Sequence, residues 1–249
     1  MQFDLITLMP DMFKALNFGV IGQAIEKNLL AYHCHHPRDF TTAKHGQVDD
    51  RPYGGGPGMV LQYQPLRDTL ASIARKPRHK VIYLGPEGRT FDHQLSKEAC
   101  QWDQLIFVCG RYEGIDQRFI DHHVDEIWSI GDFVLSGGEM AALCMIDAIA
   151  RHSQGVLGHE QSAEQDSFYH GLLDHPHYTR PEEIDGHVVP NVLLSGDHGA
   201  VETWRMQQAL GKTWQMRQDL VKRHTLNEKQ QKLLDDFLKT STKTQDHIK

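Results

Sequence analysis

CGRYEGIDQRFIDHHVDEIWSIGDFVLSGGEM, residues 109–140, decides the fold. Its glycines fall in two clusters, Gly110–Gly114 and Gly131–Gly138, with apolar segments on either side. Gln104–Cys109 (QLIFVC) reads as a strand that ends on the first cluster. Asp116–His122 reads as a helix. Glu126–Ile130 and Phe133–Leu135 read as short strands, Ser136-Gly137-Gly138 as a loop, and Glu139–His152 as a strongly apolar helix. The same unit occurs once upstream: Lys80–Leu84 (KVIYL) is a strand, Gly85-Pro86-Glu87-Gly88 a loop, and His93–Trp102 a helix. Strand, loop and helix repeated three times predict an α/β fold, a mostly parallel sheet covered by helices. In such sheets ligands sit in the loops at the carboxyl ends of the strands, where all three glycine loops fall.

Outward from this centre, Phe3–Leu8 reads as a strand ended by Pro10, and Met12–Leu30 as helical with a break near Gly19–Gly22. Arg51–Met59 (RPYGGGPGM) is too rich in glycine and proline for a regular element. Gln64–Ala74 reads as a helix. Ser153–Gln165 is polar and without periodicity, which predicts a flexible linker. A loop-rich stretch around Tyr178–Pro181 and Val189-Pro190 follows. Helices are then expected over Glu202–Leu210, Thr213–His224 and Glu228–Leu238, with a polar, frayed end from Lys239 onward. This gives a first domain over 1–157, a linker over 158–168 and a small helical domain over 169–249.

The 249 residues are 39% hydrophobic and 24% charged, an ordinary globular balance, and no apolar run reaches the length of a membrane span. The N-terminus carries an early acid, Asp4, and no basic run, so no signal peptide is expected. Cys34, Cys100, Cys109 and Cys144 form no CxxC pair, which suits a reducing cytoplasm rather than a disulfide framework. The net charge of −7 argues against a nucleic-acid partner, but its distribution does not. From Arg205 to Lys232 seven bases stand against Asp219 and Glu228 alone. Such a run serves either as phosphate contacts or as a solvated helix face.

Several site classes are excluded. Gly54–Gly58 lacks the Gly-Lys-Ser/Thr ending of a phosphate-binding P-loop, and no strand is followed by GxGxxG. Ser136-Gly137-Gly138 is not a GxSxG nucleophile elbow. The adjacent ligand types of His33-Cys34-His35-His36 cannot all face one ion in an extended chain, where side chains alternate. The three glycine loops are either tight turns or a ligand site read through backbone groups, for which an adenosine moiety fits.

RPYGGGPGM, VCGRYEGID, SIGDFVLSGGE, GVLGH, DSF, PHYTRP and VLLSG, in this order, resemble the bacterial tRNA (guanine-37-N1)-methyltransferases from Phe3 to at least Trp214. The resemblance implies a SPOUT domain with a deep trefoil knot, an exception to the rule that chains are unknotted. It implies an S-adenosylmethionine pocket made by Tyr83, Leu84, Gly85, Gly110, Tyr112, Glu113, Ile130, Gly131, Asp132, Phe133, Val134, Leu135, Gly137 and Gly138. Phe133 stands where relatives often carry Tyr. Asp166 is implied as the base that takes the N1 proton of guanine, and Arg151 as the group that stabilises charge on O6. Asp49, Arg51, Gly58, Leu157, His159 and Ser162 are implied to contact tRNA, with Lys212, Arg217 and Arg223 on phosphates. Glu113 is implied to contribute to a magnesium site. The resemblance also implies a cytoplasmic homodimer, each site using one subunit's knot and the other's C-terminal domain. Two other readings compete: a SPOUT enzyme acting on ribosomal RNA, and a non-catalytic RNA-binding protein.

Overall fold

The computed structural model describes residues 1–157 and 166–245, with side chains through residue 240. The chain divides into two compact units, Met1–Glu160 and Gln161–Lys249.

The first unit contains, in chain order, β1 (Gln2–Ile6), α1 (Gly19–Glu26), β2 (Ala31–His35), β3 (Asp49–Asp50), β4 (Val60–Leu61), α2 (Tyr63–Ser72), β5 (His79–Thr90), α3 (His93–Ala99), β6 (Gln104–Cys109), α4 (Gln117–His123), β7 (Glu126–Ser129) and α5 (Glu139–Ala150). Five of the strands form one parallel sheet in the order β2-β1-β6-β5-β7, while β3 and β4 pair antiparallel. Because side chains alternate along a strand, each central strand feeds two cores. Leu105, Phe107 and Cys109 of β6 point to one face, with Phe3, Leu5, Ile82 and Leu84; α1, α3 and α5 cover it. Ile106 and Val108 point to the other, with Val81 and Tyr83, under α2 and α4. The predicted α/β architecture with helices on both faces is what the structure shows.

Four expectations change. The Gly85–Gly88 stretch is not a free loop but part of β5, which bulges against β7 between Leu84 and Arg89 and then resumes pairing. Gly88 passes so close to the Ile127 backbone that no Cβ would fit. Phe133–Leu135 is not a strand: it gains no ladder partner, and Val134 is 90% exposed. The segment Pro10–Asn17 is a 3-10 helix separated from α1. A strand, β2, forms at the edge where the sequence reading places none: half-buried except at the exposed His33, it lacks the apolar alternation that would announce it. On β2 the alternation separates the histidine-cysteine run as expected. Cys34 packs toward the first core, its thiol pushed up to about 11 by burial, while His35 turns to Asp4.

Asp4 is buried in the middle of the sheet's amino edge. It accepts hydrogen bonds from Gln104 Nε2 and Gln2 Nε2, each at 2.7 Å, and lies 2.7 Å from His35 Nε2. Burial works against its charge, but the bonds from His35, Gln104 and Gln2 outweigh it and hold the carboxyl below its ordinary value. A depressed carboxylate stabilises the fold above its unfolded pKa, and that contribution is lost as pH falls through the folded one. Asp4→Ala is expected to cost about 1–3 kcal/mol by stranding buried partners. It should also flatten the acid limb of a stability-versus-pH curve measured by urea denaturation; an unchanged limb would remove Asp4 from this account.

In the second unit β8 (Glu183–Ile184) and β9 (His187–Val188) form a hairpin through Asp185 and Gly186, both at positive φ. The Asp-Gly dipeptide is the sequence signal of this turn. The helices α6 (His198–Met216), α7 (Gln218–Arg223) and α8 (Glu228–Gln245) follow. Asp197 caps α6 by accepting from the Ala200 N–H, which starts the helix earlier than its apolar pattern suggests. Gly211 does not break α6 where the sequence suggests a gap. It lies against the Phe237 ring of α8, where a Cβ has no room. Leu172, Leu210, Val221 and Leu234 form this unit's core.

Candidate functional site

β7 is an edge strand, yet the helix that follows it packs at the sheet's centre. The chain from Ile130 to Gly138 therefore returns across the carboxyl ends of β5 and β6. The crossing is tight: the Gly138 N–H donates to the Gly110 carbonyl at 3.0 Å, Arg111 and Gly137 form an isolated antiparallel bridge, and a Cβ on Gly138 would stand 2.9 Å from Cys109 Cα. Under the crossing lies a cavity of about 250 Å³. Of the fourteen residues expected around a cofactor, thirteen line it: Tyr83, Leu84, Gly85, Gly110, Tyr112, Glu113, Ile130, Gly131, Phe133, Val134, Leu135, Gly137 and Gly138. Asp132 is exposed and does not line it. Pro86, Arg111, Gly114, Trp128, Ser129, Ser136 and Ala141, not singled out from the sequence, complete the wall.

The cavity walls are shaped by missing side chains. A Cβ at Gly110 would stand 3.0 Å from the Tyr83 ring, and one at Gly85 would stand 2.8 Å from the same ring. Tyr83 itself is buried, its phenol raised to about 12 by burial and by Glu87, so it presents a neutral hydroxyl. The Cys109 thiol is raised well above its ordinary value by burial and by Glu139, which excludes it as a nucleophile.

A buried ion pair supports the floor. Glu139, fully buried, accepts from Thr7 Oγ1 at 2.8 Å and from Arg111 Nε at 3.3 Å. Its Oε2 lies 3.1 Å from an Arg111 terminal nitrogen, an ion-pair contact without hydrogen-bond geometry. This network joins the end of β1, the Arg111 loop and the start of α5. Removing one member would leave a buried charge unpaired, typically worth about 3–5 kcal/mol.

The other expected residues are placed as follows. Gly58 packs on the Glu113 side chain, and the Glu113 N–H donates to the Met59 carbonyl at 3.0 Å, so the 54–58 glycine stretch joins the pocket's rim. Asp49 pairs with Leu61 in the β3–β4 ribbon, and Arg51 is exposed beyond it. Arg151 is the C-cap of α5, where a cation complements the helix dipole. The thirteen steps from Gly138 to Arg151 span roughly 20 Å at the rise of an α-helix. The next residues, His152 and Ser153, line a hollow with Met1, Lys76, Arg78 and Asp103 at the amino edge of the sheet. Within one chain, then, Arg151 and the pocket occupy opposite edges of the sheet. Leu157 does not line the pocket, and Asp166 belongs to the second unit. His159 and Ser162 lie outside the described residues. Lys212 Nζ donates to the Asp174 carbonyl and Arg217 forks onto Asp219. Among the described residues, the grouping of three metal-ligating side chains is Asp174, His175 and His177, and Glu113 is no part of it.

The parallel α/β sheet thus carries at its carboxyl edge a glycine-walled cavity closed by a returning chain. The sequence model described as tRNA (Guanine-1)-methyltransferase TrmD matches residues 1–223, and the chain belongs to that family. The tRNA (guanine-N(1)-)-methyltransferase of Coxiella burnetii is 54% identical over 241 residues, covering 95% of this chain and 97% of that protein. That of Mannheimia succiniciproducens is 53% identical, covering 96% and 94%. That of Shewanella denitrificans is 53% identical over 247 residues, covering 98% of this chain and 100% of its own length.

Proposed function

We propose that this protein is an enzyme that transfers a methyl group from S-adenosylmethionine to N1 of guanosine 37, beside the anticodon of tRNA. The observation that carries this reading is the cavity at the carboxyl edge of the sheet, walled by Gly85, Gly110, Gly137 and Gly138 in a chain of this family. A Cβ at any of these four positions would meet a neighbour at 3.0 Å or closer, so the wall is a cradle kept open for close approach to backbone. This fits an adenosine-bearing methyl donor, which when bound supplies an electrophilic methyl on a sulfonium. The return of residues 130–138 across the carboxyl ends of β5 and β6 fits the threaded, knotted path expected of the family.

The chain's own residues supply the rest. Backbone groups of the three loops orient the donor, and Tyr83 and Leu84 close its apolar side. Guanine N1 bears a proton at neutral pH and becomes nucleophilic only as that proton leaves. Asp166 takes it, and Arg151 stabilises the charge that develops on O6. Gly58, packed on Glu113 at the rim, and the exposed Arg51 are assigned to the anticodon loop. Magnesium at Glu113 rests on the resemblance alone. One carboxylate falls short of a magnesium site by ligand count, and no step is derived through it.

The reaction requires a second copy, because Arg151 stands at the far edge of its own sheet. The outer face of α5 supports this. Met140 and Cys144 are exposed and Leu143 half-exposed, forming an apolar stripe at the pocket end of α5 that is followed by the exposed Asp147 before Arg151. With the exposed Phe133, Val134 and Leu135 it makes a patch suited to an interface. Two such helices packed antiparallel about a two-fold axis would bring each Arg151 over the other copy's pocket. No helix among the described residues is long and apolar enough to cross a membrane, in keeping with action on tRNA in the cytoplasm.

The test is product analysis on tRNA transcripts with labelled methyl donor. The expected product is 1-methylguanosine at position 37, with incorporation lost when that guanosine is replaced. Methylation that persists on the replaced transcript, or that prefers ribosomal RNA, would overturn the substrate assignment. Absence of donor binding in calorimetry would overturn the enzyme reading altogether.

A further inference from the structure

Asp174, His175 and His177 converge in the second unit, and none of the three is assigned a role in methyl transfer. Their ligand atoms all lie within 4.8 Å of one another. Asp174 Oδ2 is 2.6 Å from His177 Nε2, and Asp174 Oδ1 is 3.7 Å from His175 Nε2. We propose that these three side chains form a binding site for one divalent transition-metal ion of the zinc type, such as zinc, cobalt or nickel.

The backbone explains why this run succeeds where His33–His36 fails. Residues two apart in an extended chain face the same side, and a residue before proline is confined to extended conformations. His175-Pro176-His177 meets both conditions, and the two rings stand 4.4 Å apart between centroids. The tautomer also follows. His175 Nδ1 lies 3.1 Å from the Pro176 carbonyl, which can only accept, so Nδ1 carries the hydrogen and Nε2 presents a lone pair. A hydrogen bond on the distal ring nitrogen is the usual support of a metal-bound imidazole. Asp174 is held by the His175 N–H at 2.7 Å on Oδ1, and its own N–H donates to Ser167 Oγ at 3.0 Å.

The spacing suits a small ion. Ligand atoms about 2.0–2.2 Å from a tetrahedral centre stand about 3.3–3.6 Å apart. The two carboxylate oxygens of Asp174 lie 2.6 Å and 3.7 Å from the histidines, and the three ligand atoms within 4.8 Å, so small rotations close the set on one ion. Two imidazoles and one carboxylate select borderline transition ions over magnesium or calcium, which take oxygen donors. Three protein ligands leave a position for water, and His177, 69% exposed, gives an entry path. Lys212 Nζ, bonded to the Asp174 carbonyl at 3.0 Å, is the nearby opposing charge; it lies on the backbone oxygen and leaves the carboxylate to the imidazoles. A bound ion would brace the turn from Asp166 to Leu172, which is closed by the Phe168 N–H on the Leu172 carbonyl at 2.7 Å.

The proposal is independent of methyl transfer, and its test reads the metal directly. Untagged full-length protein, stripped with chelator, is titrated with cobalt(II) and followed by visible d–d absorption and calorimetry. One equivalent per chain is expected, displaced by zinc. His177→Gln should weaken binding by tenfold or more, on the order of what even supporting residues of metal sites cost when lost. His175→Ala combined with His177→Gln should abolish the band, and circular dichroism reports whether each variant is folded. His33→Ala combined with His36→Ala, at the other histidine cluster, should leave the titration unchanged. The proposal is overturned if the wild-type protein shows no band, if the band survives in the folded 175/177 double variant, or if it is lost only in the 33/36 variant.

Discussion

Asp166→Ala is expected to reduce methyl transfer about 10²–10⁴-fold, the range supplied by a single general base, while leaving S-adenosylmethionine binding nearly unchanged. The separation follows from where the residue lies. Among the described residues the cavity proposed for the donor is lined from the first unit, between Tyr83 and Ala141, and Asp166 begins the described part of the second. A loss of turnover caused by a damaged pocket would weaken donor binding as well. Single-turnover rates and calorimetric titration of the donor, on the same preparation, distinguish the two. If the variant turns over at a wild-type rate, Asp166 is not the base.

Gly110→Val should produce the opposite split, with donor binding lost first. The Gly110 carbonyl accepts from the Gly138 N–H, so this residue lies where the returning chain crosses β6. A Cβ there would already stand 3.0 Å from the Tyr83 ring, and valine's two methyls would fill the cavity or push the ring out of it. Overpacking of this kind typically costs about 1–3 kcal/mol. Calorimetry should therefore show donor affinity weakened by tenfold or more in a protein that still melts cooperatively. Unchanged donor affinity would mean that the cavity under the crossing is not the donor site.

Much of this arrangement is legible in the sequence because its causes are local. QLIFVC is apolar from Leu105 to Cys109 without interruption, and such a run indicates a strand covered on both faces. The glycines of residues 110–138 mark close backbone approach, and the structure gathers thirteen of the fourteen residues expected there around one cavity. Where the reading fails, the cause lies elsewhere in the chain. The strand β2 is held at an edge by β1 rather than by its own pattern. The bulge that keeps Gly85–Gly88 within β5 depends on the partner strand β7. Thr7 and Glu139, bonded across 132 positions, have no sequence signal linking them. Gly211 resembles a helix break until Phe237 is placed against it.

The position of Arg151 is the feature with the largest consequence. The sequence puts it at a helix end; only the structure shows that this end is at the sheet edge opposite the pocket, roughly 20 Å along α5. On the proposed function, the pocket and Arg151 meet only between two copies. Mixed dimers test it most directly. Chains carrying Gly110→Val are co-expressed with chains carrying Arg151→Ala, and the heterodimer is isolated through two different tags. At donor concentrations below saturation each variant alone is expected to turn over well below wild type, whereas the heterodimer has one site with an intact pocket and the partner's intact arginine. It should recover about half of wild-type turnover, one site of two. A heterodimer no more active than either parent would show that pocket and arginine act within one chain, and would contradict this account.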